Sequence, residues 1–428
     1  MPKLITIGCI FMTTIAAQAD VVDWRYDMPI QVTHDWPDFS SFDKQVTDFM
    51  GARSIPGGAL AVTRNGKLVL ARGYGYADVE AKELVSPGAL FRIASVSKPI
   101  TGVAMMRLME LYPDRISMDS RMVDLIDASA HKHADVEPDP RIAGITVDQL
   151  LHHTAGWDRG VSFDPMFRPI SIAEELATTP PAGPRDIMRY MFGLTLDHDP
   201  GAVHVYSNFG YCVLGRIIED ISGRPYDQFV KDEVLSPAGV TRMRIGRTLA
   251  DLRAEGEVKY YDRAIGRSVM QPDSDDDVPN PYGGWHLEAM DAHGAWIASA
   301  VDLVRFAAAL DDPENSPILQ PESIATMFAR PDGSAGYDDE GEPKAAYYGC
   351  GWSVRPTGNG KANHWHGGSL PGTSTLLIRR NDGLNWAILF NQRSDSSDLD
   401  YGAIDGMMHR AAGAVGEWPD YDLFDDLL

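Results

Sequence analysis

The dipeptide Asn65-Gly66 separates two apolar runs, Ala59 to Thr63 and Lys67 to Gly75. Asparagine followed by glycine between such runs is the strongest short signal for a hairpin, because both turn positions favour residues that tolerate positive φ. A hairpin alone makes too small a core to be stable. The next strand-like runs arrive only at Tyr348 to Val354, His364 to Arg379 (interrupted near Pro371-Gly372) and Trp386 to Phe390. Strands from the two ends of the chain must therefore share one sheet, and what lies between is an insertion. That insertion reads as helical. Ser95 to Leu111 predicts a long helix closed by Pro113-Asp114, and Phe209 to Ile221 and Tyr226 to Leu235 are the clearest of several later helical stretches. Phe39 to Met50 and Asp398 to Ala414 predict helices near the two ends. The expected class is α/β in the α+β sense: an antiparallel sheet with the terminal helices on one face and a helical subregion, about 116–290, on the other. Gln271 to Pro281 and Arg330 to Pro343, acidic or proline-rich, are expected as surface loops.

Charge narrows the partners. Across 428 residues, 38 Lys+Arg against 61 Asp+Glu leave a formal charge of −23. Phosphate backbones and anionic lipid surfaces repel such a chain, so neither nucleic acid nor electrostatic membrane docking is expected. At the amino terminus Lys3 precedes the apolar run Leu4 to Ala17, and Ala17-Gln18-Ala19 fits a small-x-small cleavage pattern. Residues 1–19 are thus expected to be a secretory signal peptide and residues 20–428 one exported domain, periplasmic or secreted, without a membrane span. With Cys9 in that leader, Cys212 and Cys350 remain; they are expected as two separate buried thiols, one in a helix and one in a strand. Oligomeric state is left open.

Ser95 and Lys98 carry the first chemical signal. At i and i+3 on an opening helix turn they share a face, so the amine can stand beside the hydroxyl. The helix start adds free N–H groups and a positive dipole end, favouring an alkoxide and disfavouring a lysine cation. The pair gains meaning from Tyr206-Ser207-Asn208 and His366-Gly367-Gly368 downstream. Tyr206 can relay a proton where nearby positive charge lowers its pKa from ~10. Asn208 offers both a donor and an acceptor, suited to holding Lys98 and a substrate carbonyl. The two glycines let a substrate backbone approach an edge strand.

In this order and rough spacing, the three motifs resemble those of the serine β-lactamase and penicillin-binding protein superfamily. The similarity is to the class C β-lactamase-like branch, which also holds D,D-peptidases, D-aminopeptidases and class VIII esterases, with motifs S-x-x-K, Y-x-N and [KH]-x-G. Gly73-Tyr74-Gly75-Tyr76-Ala77-Asp78 and Leu150-Leu151-His152-His153-Thr154-Ala155-Gly156 match as well, and the resemblance spans about residues 40 to 415. It implies a β-lactamase/transpeptidase-like fold. It also implies a cofactor-free, metal-free enzyme with Ser95, Lys98 and Tyr206 catalytic and Asn208, His366, Gly367, Gly368 and Ser369 binding substrate. The backbone N–H groups of Ser95 and Ser369 would form the oxyanion hole. The implied function is an exported serine hydrolase of small ester, amide or D-amino-acid peptide substrates. β-Lactamase or D,D-carboxypeptidase activity is the alternative within the family, and a non-catalytic peptidoglycan- or β-lactam-binding protein the alternative outside catalysis.

His366 departs from the lysine usual in efficient β-lactamases. Histidine with a pKa near ~6.5 is mostly neutral at pH 7, which weakens recognition of an obligatory carboxylate. The walls expected for the pocket, Phe163 to Arg168, Gln271 to Trp285 with Tyr282 and Trp285, and Leu370 to Thr373, carry excess acid and few cations. They predict a neutral or cationic acyl substrate, short-chain ester hydrolysis, and slow or absent β-lactam turnover. Gly-x-Ser-x-Gly and His-Glu-x-x-His do not occur, and Asp78 breaks a dinucleotide fingerprint at Gly73-x-Gly75. His364 and His366 share a strand face without completing a metal set. His152 and His153, adjacent at a helix end and facing different ways, are expected in solvent and capping roles.

Overall fold

The computed structural model describes residues 28–126, 137–393 and 401–426. Asn65 and Gly66 both take positive φ, 49° and 79°, and turn the chain between two long strands. In chain order, β1 (Ile30–Val32) precedes α1 (Ser40–Arg53); β2 (Gly57–Arg64), β3 (Lys67–Asp78) and β4 (Glu83–Leu84) follow. β5 (Phe91–Arg92) leads through a 3₁₀ turn, Ala94–Val96, into α2 (Ser97–Leu111). A region of helices comes next: α3 (Met122–Leu125), α4 (Val147–Leu151), α5 (Pro169–Glu175), α6 (Pro184–Met191), α7 (Asn208–Ser222) and α8 (Tyr226–Val230). Four short strands, β6 (Arg244–Ile245), β7 (Ile265–Arg267), β8 (Asp277–Pro279) and β9 (Trp296–Ala298), lead to α9 (Ala300–Ala308) and α10 (Pro321–Phe328). The chain closes with β10 (Tyr347–Tyr348), β11 (Ser353–Gly358), β12 (Lys361–Leu370), β13 (Thr373–Arg379), β14 (Leu384–Phe390) and α11 (Tyr401–Gly413).

The two chain ends do share a sheet. Its order is β1-β3-β2-β14-β13-β12-β11-β10, with β4 on β3, and β2 pairs antiparallel with β14 from Gly58↔Phe390 to Arg64↔Leu384. Strand alternation then sorts the side chains. Leu60, Val62, Trp386, Ile388 and Phe390 point to one face and pack with α1 and α11, where Phe49 stacks on Phe390 at 5.5 Å. Burying each such side chain is worth roughly 1.5–3 kcal/mol. The other face presents Ala59, Ala61, Ala71 and Ala387, small enough for α9 to lie close against β2 and β14.

Several expectations change. The helix lying directly on that second face is α9, beyond 290; the 116–290 helices pack around α2 instead, through α7 and α8. The helix expected from Ser95 starts at Ser97, because Ala94 takes a φ of 47° and places Ser95 in the preceding 3₁₀ turn. The run Tyr348 to Val354 is no single strand: Gly349 to Trp352 loop out, Cys350 N–H bonds to Met327 O at 2.9 Å, and Gly351 takes a φ of 86°. The close approach of this segment to α2 explains the break, since a Cβ on Gly102 would collide with the Cys350 carbonyl. Cys350 is therefore in a bend; it and Cys212, in α7, are free and buried. Tyr226 to Leu235 is a short α-helix followed by one π turn, and Gln271 to Pro281 contains β8, which pairs with β7. Residues 1–19 and the start of the helix expected from Asp398 lie outside the described residues. Among the described residues no helix is long and apolar enough to cross a membrane.

Candidate active site

The turn that carries Ser95 is tied to the sheet. Thr373 Oγ1 donates to Arg92 O at 2.8 Å and Thr375 Oγ1 to Ile93 O at 2.9 Å. Gly368 completes this fit: a Cβ there would strike the Ile93 carbonyl and Thr375 Oγ1. Its glycine thus serves the approach of β12 to the Ser95 turn, and Gly367 and Ser369 line the cavity. One helical turn on, Lys98 is fully buried. Its Nζ lies 3.3 Å from Ser95 Oγ, 2.8 Å from Asn208 Oδ1 and 3.1 Å from His293 O. Burial holds the amine well below its ordinary pKa; Asp164 pulls it back up and Arg159 pushes it further down. A neutral amine in this setting has two N–H groups for two carbonyl-type acceptors and a lone pair for the serine hydroxyl.

Asn208 owes its place to a helix cap. Ser207 Oγ accepts from Gly210 N–H at 3.1 Å, so α7 starts at Asn208 with Tyr206 just before it. Asn208 Nδ2 donates to Asp164 Oδ2 at 2.6 Å, which turns the amide oxygen toward Lys98. The Tyr206 ring centroid is 4.5 Å from Lys98 Nζ and 5.2 Å from the Arg159 guanidinium carbon.

His153 grips the chain on both sides of Tyr206. Its carbonyl accepts from Val205 N–H at 2.9 Å and its Nδ1 from Ser207 N–H at 3.2 Å, and its ring packs 4.6 Å from Tyr206. Burial holds it neutral, and its φ of 59° is the left-handed conformation that lets one residue supply both contacts. The solvent role expected for His152 and His153 is thereby corrected, whereas the capping role holds for His152, the C-cap of α4, whose Nδ1 lies 3.1 Å from Asp148 O. Both are buried, and His152 stands between Asp148 Oδ1 (3.0 Å from Nδ1) and Cys350 Sγ (3.7 Å from Nε2).

Across the cavity, both ring nitrogens of His366 are engaged. Nδ1 lies 2.7 Å from Gly367 O and so carries the proton, leaving Nε2 to accept from Tyr348 Oη–H at 2.9 Å. Burial first, and Lys98 second, push its pKa down to about 3. The ring is neutral at pH 7 and cannot serve as a fixed cation. His364, two residues back on the same face of β12, has other neighbours: its ring packs 3.9 Å from Phe328, and its Nδ1 lies 3.5 Å from Arg379 Nη1. Among the described residues no three His, Cys, Asp or Glu side chains converge on a metal position.

Ser95, Tyr206, Asn208, His366, Gly367 and Ser369 line a cavity of about 560 Å³ with Lys98 against its floor. Its walls differ from those expected. Phe167 and Leu370 belong to them, but Tyr282 and Trp285 are buried elsewhere, Tyr282 Oη accepting from Tyr260 N–H at 2.8 Å. Met290, His293 and Gly294 close one side, and among the described residues Arg159 and Arg393 are the charged wall residues and no carboxylate lines the cavity. The excess acid of the wall segments thus does not reach it, because Asp164 is turned onto Asn208 and the Met166 N–H. Sequence reading missed His153, His293, Tyr348 and both arginines as site residues, and placed Asp164 only within a wall segment. Only Asp164, an Asp-Pro of the kind that caps a short helix, and His153, inside a quoted motif, carried a local signal.

The sequence model of the Beta-lactamase family matches residues 42–405. The chain belongs to the Beta-lactamase family. Protein flp of Staphylococcus aureus (strain N315) is 26% identical over 338 residues, 78% of this chain and 59% of that protein, so this family member spans less than two thirds of that relative's length. Among solved structures, the D-amino acid amidase from Ochrobactrum anthropi SV3 complexed with D-phenylalanine superposes with a TM-score of 0.64 at 21% identity, covering 89% of this chain and 99% of that one. EstCE1, a hydrolase with promiscuous acyltransferase activity, gives 0.64 at 22% identity, covering 87% and 98%. At these identities the likeness is one of fold, and it agrees with the antiparallel sheet flanked by helices.

Proposed function

We propose that this member of the Beta-lactamase family is an exported serine hydrolase that cleaves ester or amide bonds through an acyl-enzyme on Ser95. The observation that carries the reading is the buried Lys98 amine, 3.3 Å from Ser95 Oγ and held by Asn208 Oδ1 and the His293 carbonyl. An amine kept neutral by burial can take the hydroxyl proton as the oxygen attacks a carbonyl. Tyr206 carries the proton on to the leaving group, and the backbone N–H groups of Ser95 and Ser369 hold the developing oxyanion, each such donor being worth ~2.7–4 kcal/mol. The leaving alcohol or amine departs protonated, and water then attacks the acyl carbonyl by the same route in reverse.

Esters and D-amino-acid amides or peptides are the preferred substrate classes. The amidase and EstCE1 share the fold, and neutral His366 removes the fixed cation at β12 that an obligatory β-lactam carboxylate would meet. A fluorophosphonate tests the nucleophile. One equivalent should add to Ser95 and none to Ser95→Ala, and p-nitrophenyl butyrate turnover should exceed that of nitrocefin. Labelling that persists in Ser95→Ala, or maps to Ser97 or Ser369, overturns the assignment.

A further inference from the structure

The His293 carbonyl is one of two carbonyl-type oxygens that hold the Lys98 amine, and a backbone carbonyl is aimed by the turn that carries it. That turn, residues 290–294, is held at each step. Met290 O accepts from His293 N–H at 3.0 Å, from Gly294 N–H at 2.7 Å and from Ala295 N–H at 3.1 Å. Ala292 O accepts from Thr101 Oγ1–H at 2.6 Å, with Tyr226 Oη–H donating to Thr101 and Trp296 Nε1–H to Tyr226 behind it. A buried ion pair then ties the turn to α7. Arg216 Nη2 lies 2.5 Å from Asp291 Oδ2, and Asp291 Oδ1 accepts from Ala292 N–H at 2.6 Å. Gly215 lets helix and turn close up, since a Cβ there would come within 2.6 Å of the Ala292 Cβ.

Such a pair is a poor source of stability, because taking both charges out of water offsets most of their attraction. What it supplies is direction, since a planar guanidinium meets a carboxylate in a fixed orientation. Asn208, which offers Lys98 its other oxygen at 2.8 Å, opens the same helix about two turns before Arg216. One rigid helix thus sets both acceptors, Asn208 directly and His293 O through Arg216 and Asp291. Asp164 and Arg159 are the charges that act on Lys98, and Tyr206, Tyr211, His153 and His366 face it as further titratable groups. The ion pair reaches the amine through the turn.

We infer that Arg216 and Asp291 are positioning residues for proton transfer at Ser95: their ion pair fixes turn 290–294 on α7 so that His293 O and Asn208 Oδ1 meet the Lys98 amine together and leave its lone pair to the serine hydroxyl. This assignment rests on the hydrolase reading above, with Lys98 as the base, and adds that the base is aimed from behind the cavity wall.

The test separates aim from stability. Arg216→Met combined with Asp291→Asn removes both charges, leaves an oxygen for the Ala292 N–H, and leaves Glu219 its contact with Arg185 at 3.0 Å. Its Tm should lie close to that of the wild type, while each single variant, with one buried charge unpaired, melts lower. The double variant should still lose kcat on p-nitrophenyl butyrate about tenfold or more, with KM within about threefold. Its rate of fluorophosphonate labelling at Ser95 should fall in parallel, because that reaction reads the attack step alone. A loosened turn also admits water to Lys98, and burial is the main cause of its lowered pKa, so the acid limb of kcat/KM should move up by about half a pH unit or more. Arg216→Lys, which keeps the cation, should retain most of the rate. Ile221→Ala, a cavity at the far end of α7, should lower Tm and leave rate and limb as in the wild type. A double variant with wild-type kcat and limb overturns the positioning role. So does a matching rate loss in Ile221→Ala, or a double variant that melts as low as the singles or does not fold, since either makes the pair a structural one. A wild type with no ester turnover and no label on Ser95 overturns the hydrolase reading instead.

Discussion

Replacing His153 by phenylalanine separates the ring from its acceptor nitrogen. Phenylalanine keeps the packing against Tyr206 but removes Nδ1, which accepts from Ser207 N–H at 3.2 Å. An unpaired buried N–H costs about 1–3 kcal/mol. Residue 153 also holds a φ of 59°, a conformation that costs a bulky side chain about 1–3 kcal/mol. His153 already bears that cost, so the substitution itself adds about 1–3 kcal/mol, and the cheapest relief is to lift Ser207 toward water. Tyr206 then moves with it, because Val205 and Ser207 are the two anchors of its segment. A displacement near 1 Å at a catalytic group costs on the order of 10²-fold. His153→Phe should therefore lower kcat about 30- to 100-fold with KM within about threefold. It should also lower Tm by several degrees. His153→Asn, which tolerates the left-handed region and carries a side-chain oxygen, should recover most of the rate. The assay is p-nitrophenyl butyrate turnover beside thermal melts of both variants. A His153→Phe enzyme with wild-type kcat would refute the role given to His153. So would phenylalanine and asparagine variants losing rate only in step with Tm.

Three further outcomes follow from the same geometry. Asp164 raises the Lys98 pKa against the pull of burial, so Asp164→Asn should move the acid limb of kcat/KM to lower pH; an upward move would contradict Lys98 as the titrating base. His366→Lys should lower turnover of neutral and anionic esters alike, since the new amine would enter a buried site beside Lys98 and lose the bond to Tyr348; a gain specific to the anionic ester would show that the position can act as a cation site. Burial holds His366 at about 3, His204 at about 4 and His364 at about 2. Unfolded histidine titrates near ~6.5, so the stability they confer is complete above that pH and declines as pH falls toward the folded values. Urea midpoints should drop between pH 7 and 5, and a flat midpoint across that window would count against neutral burial.

The sheet was legible because its signals are local: Asn65-Gly66 fixes a hairpin, and the apolar runs at the two ends of the chain need each other to make a core. The motif residues were legible because S-x-x-K, Y-x-N and H-x-G are short and ordered. What could not be read depends on long-range fits. Ala94 at positive φ, which sets Ser95 ahead of α2, answers to the crowding of Gly368 against Ile93, two segments far apart in sequence. The cavity walls misled for a related reason: composition counts a carboxylate such as Asp164 as wall charge, but a side chain already bonded to Asn208 presents none. His153 sat inside a quoted motif and was misread as solvent-facing, since its neighbours Tyr206, Tyr211 and Tyr348 converge only in space.

The site divides its electrostatic work by depth. On the floor, α7, the Met290–Gly294 turn and β12 strip water from Lys98, His293 and His366, and burial pushes the pKa of each of these bases down. On the reading proposed above, that supplies a base and an acceptor. Arginine cannot answer burial in the same way, because its charge persists. A guanidinium placed on the floor would need a buried carboxylate, as Arg216 needs Asp291 at 2.5 Å, and the pair would cancel. A lasting cation and the buried bases must then occupy different layers of the cavity. Arg159, exposed, and Arg393, half-buried, stand where water still supports them. The lowered pKa of Lys98 and the persistence of the two arginine charges are thus consequences of one gradient in solvent access running from the mouth of the cavity to α2.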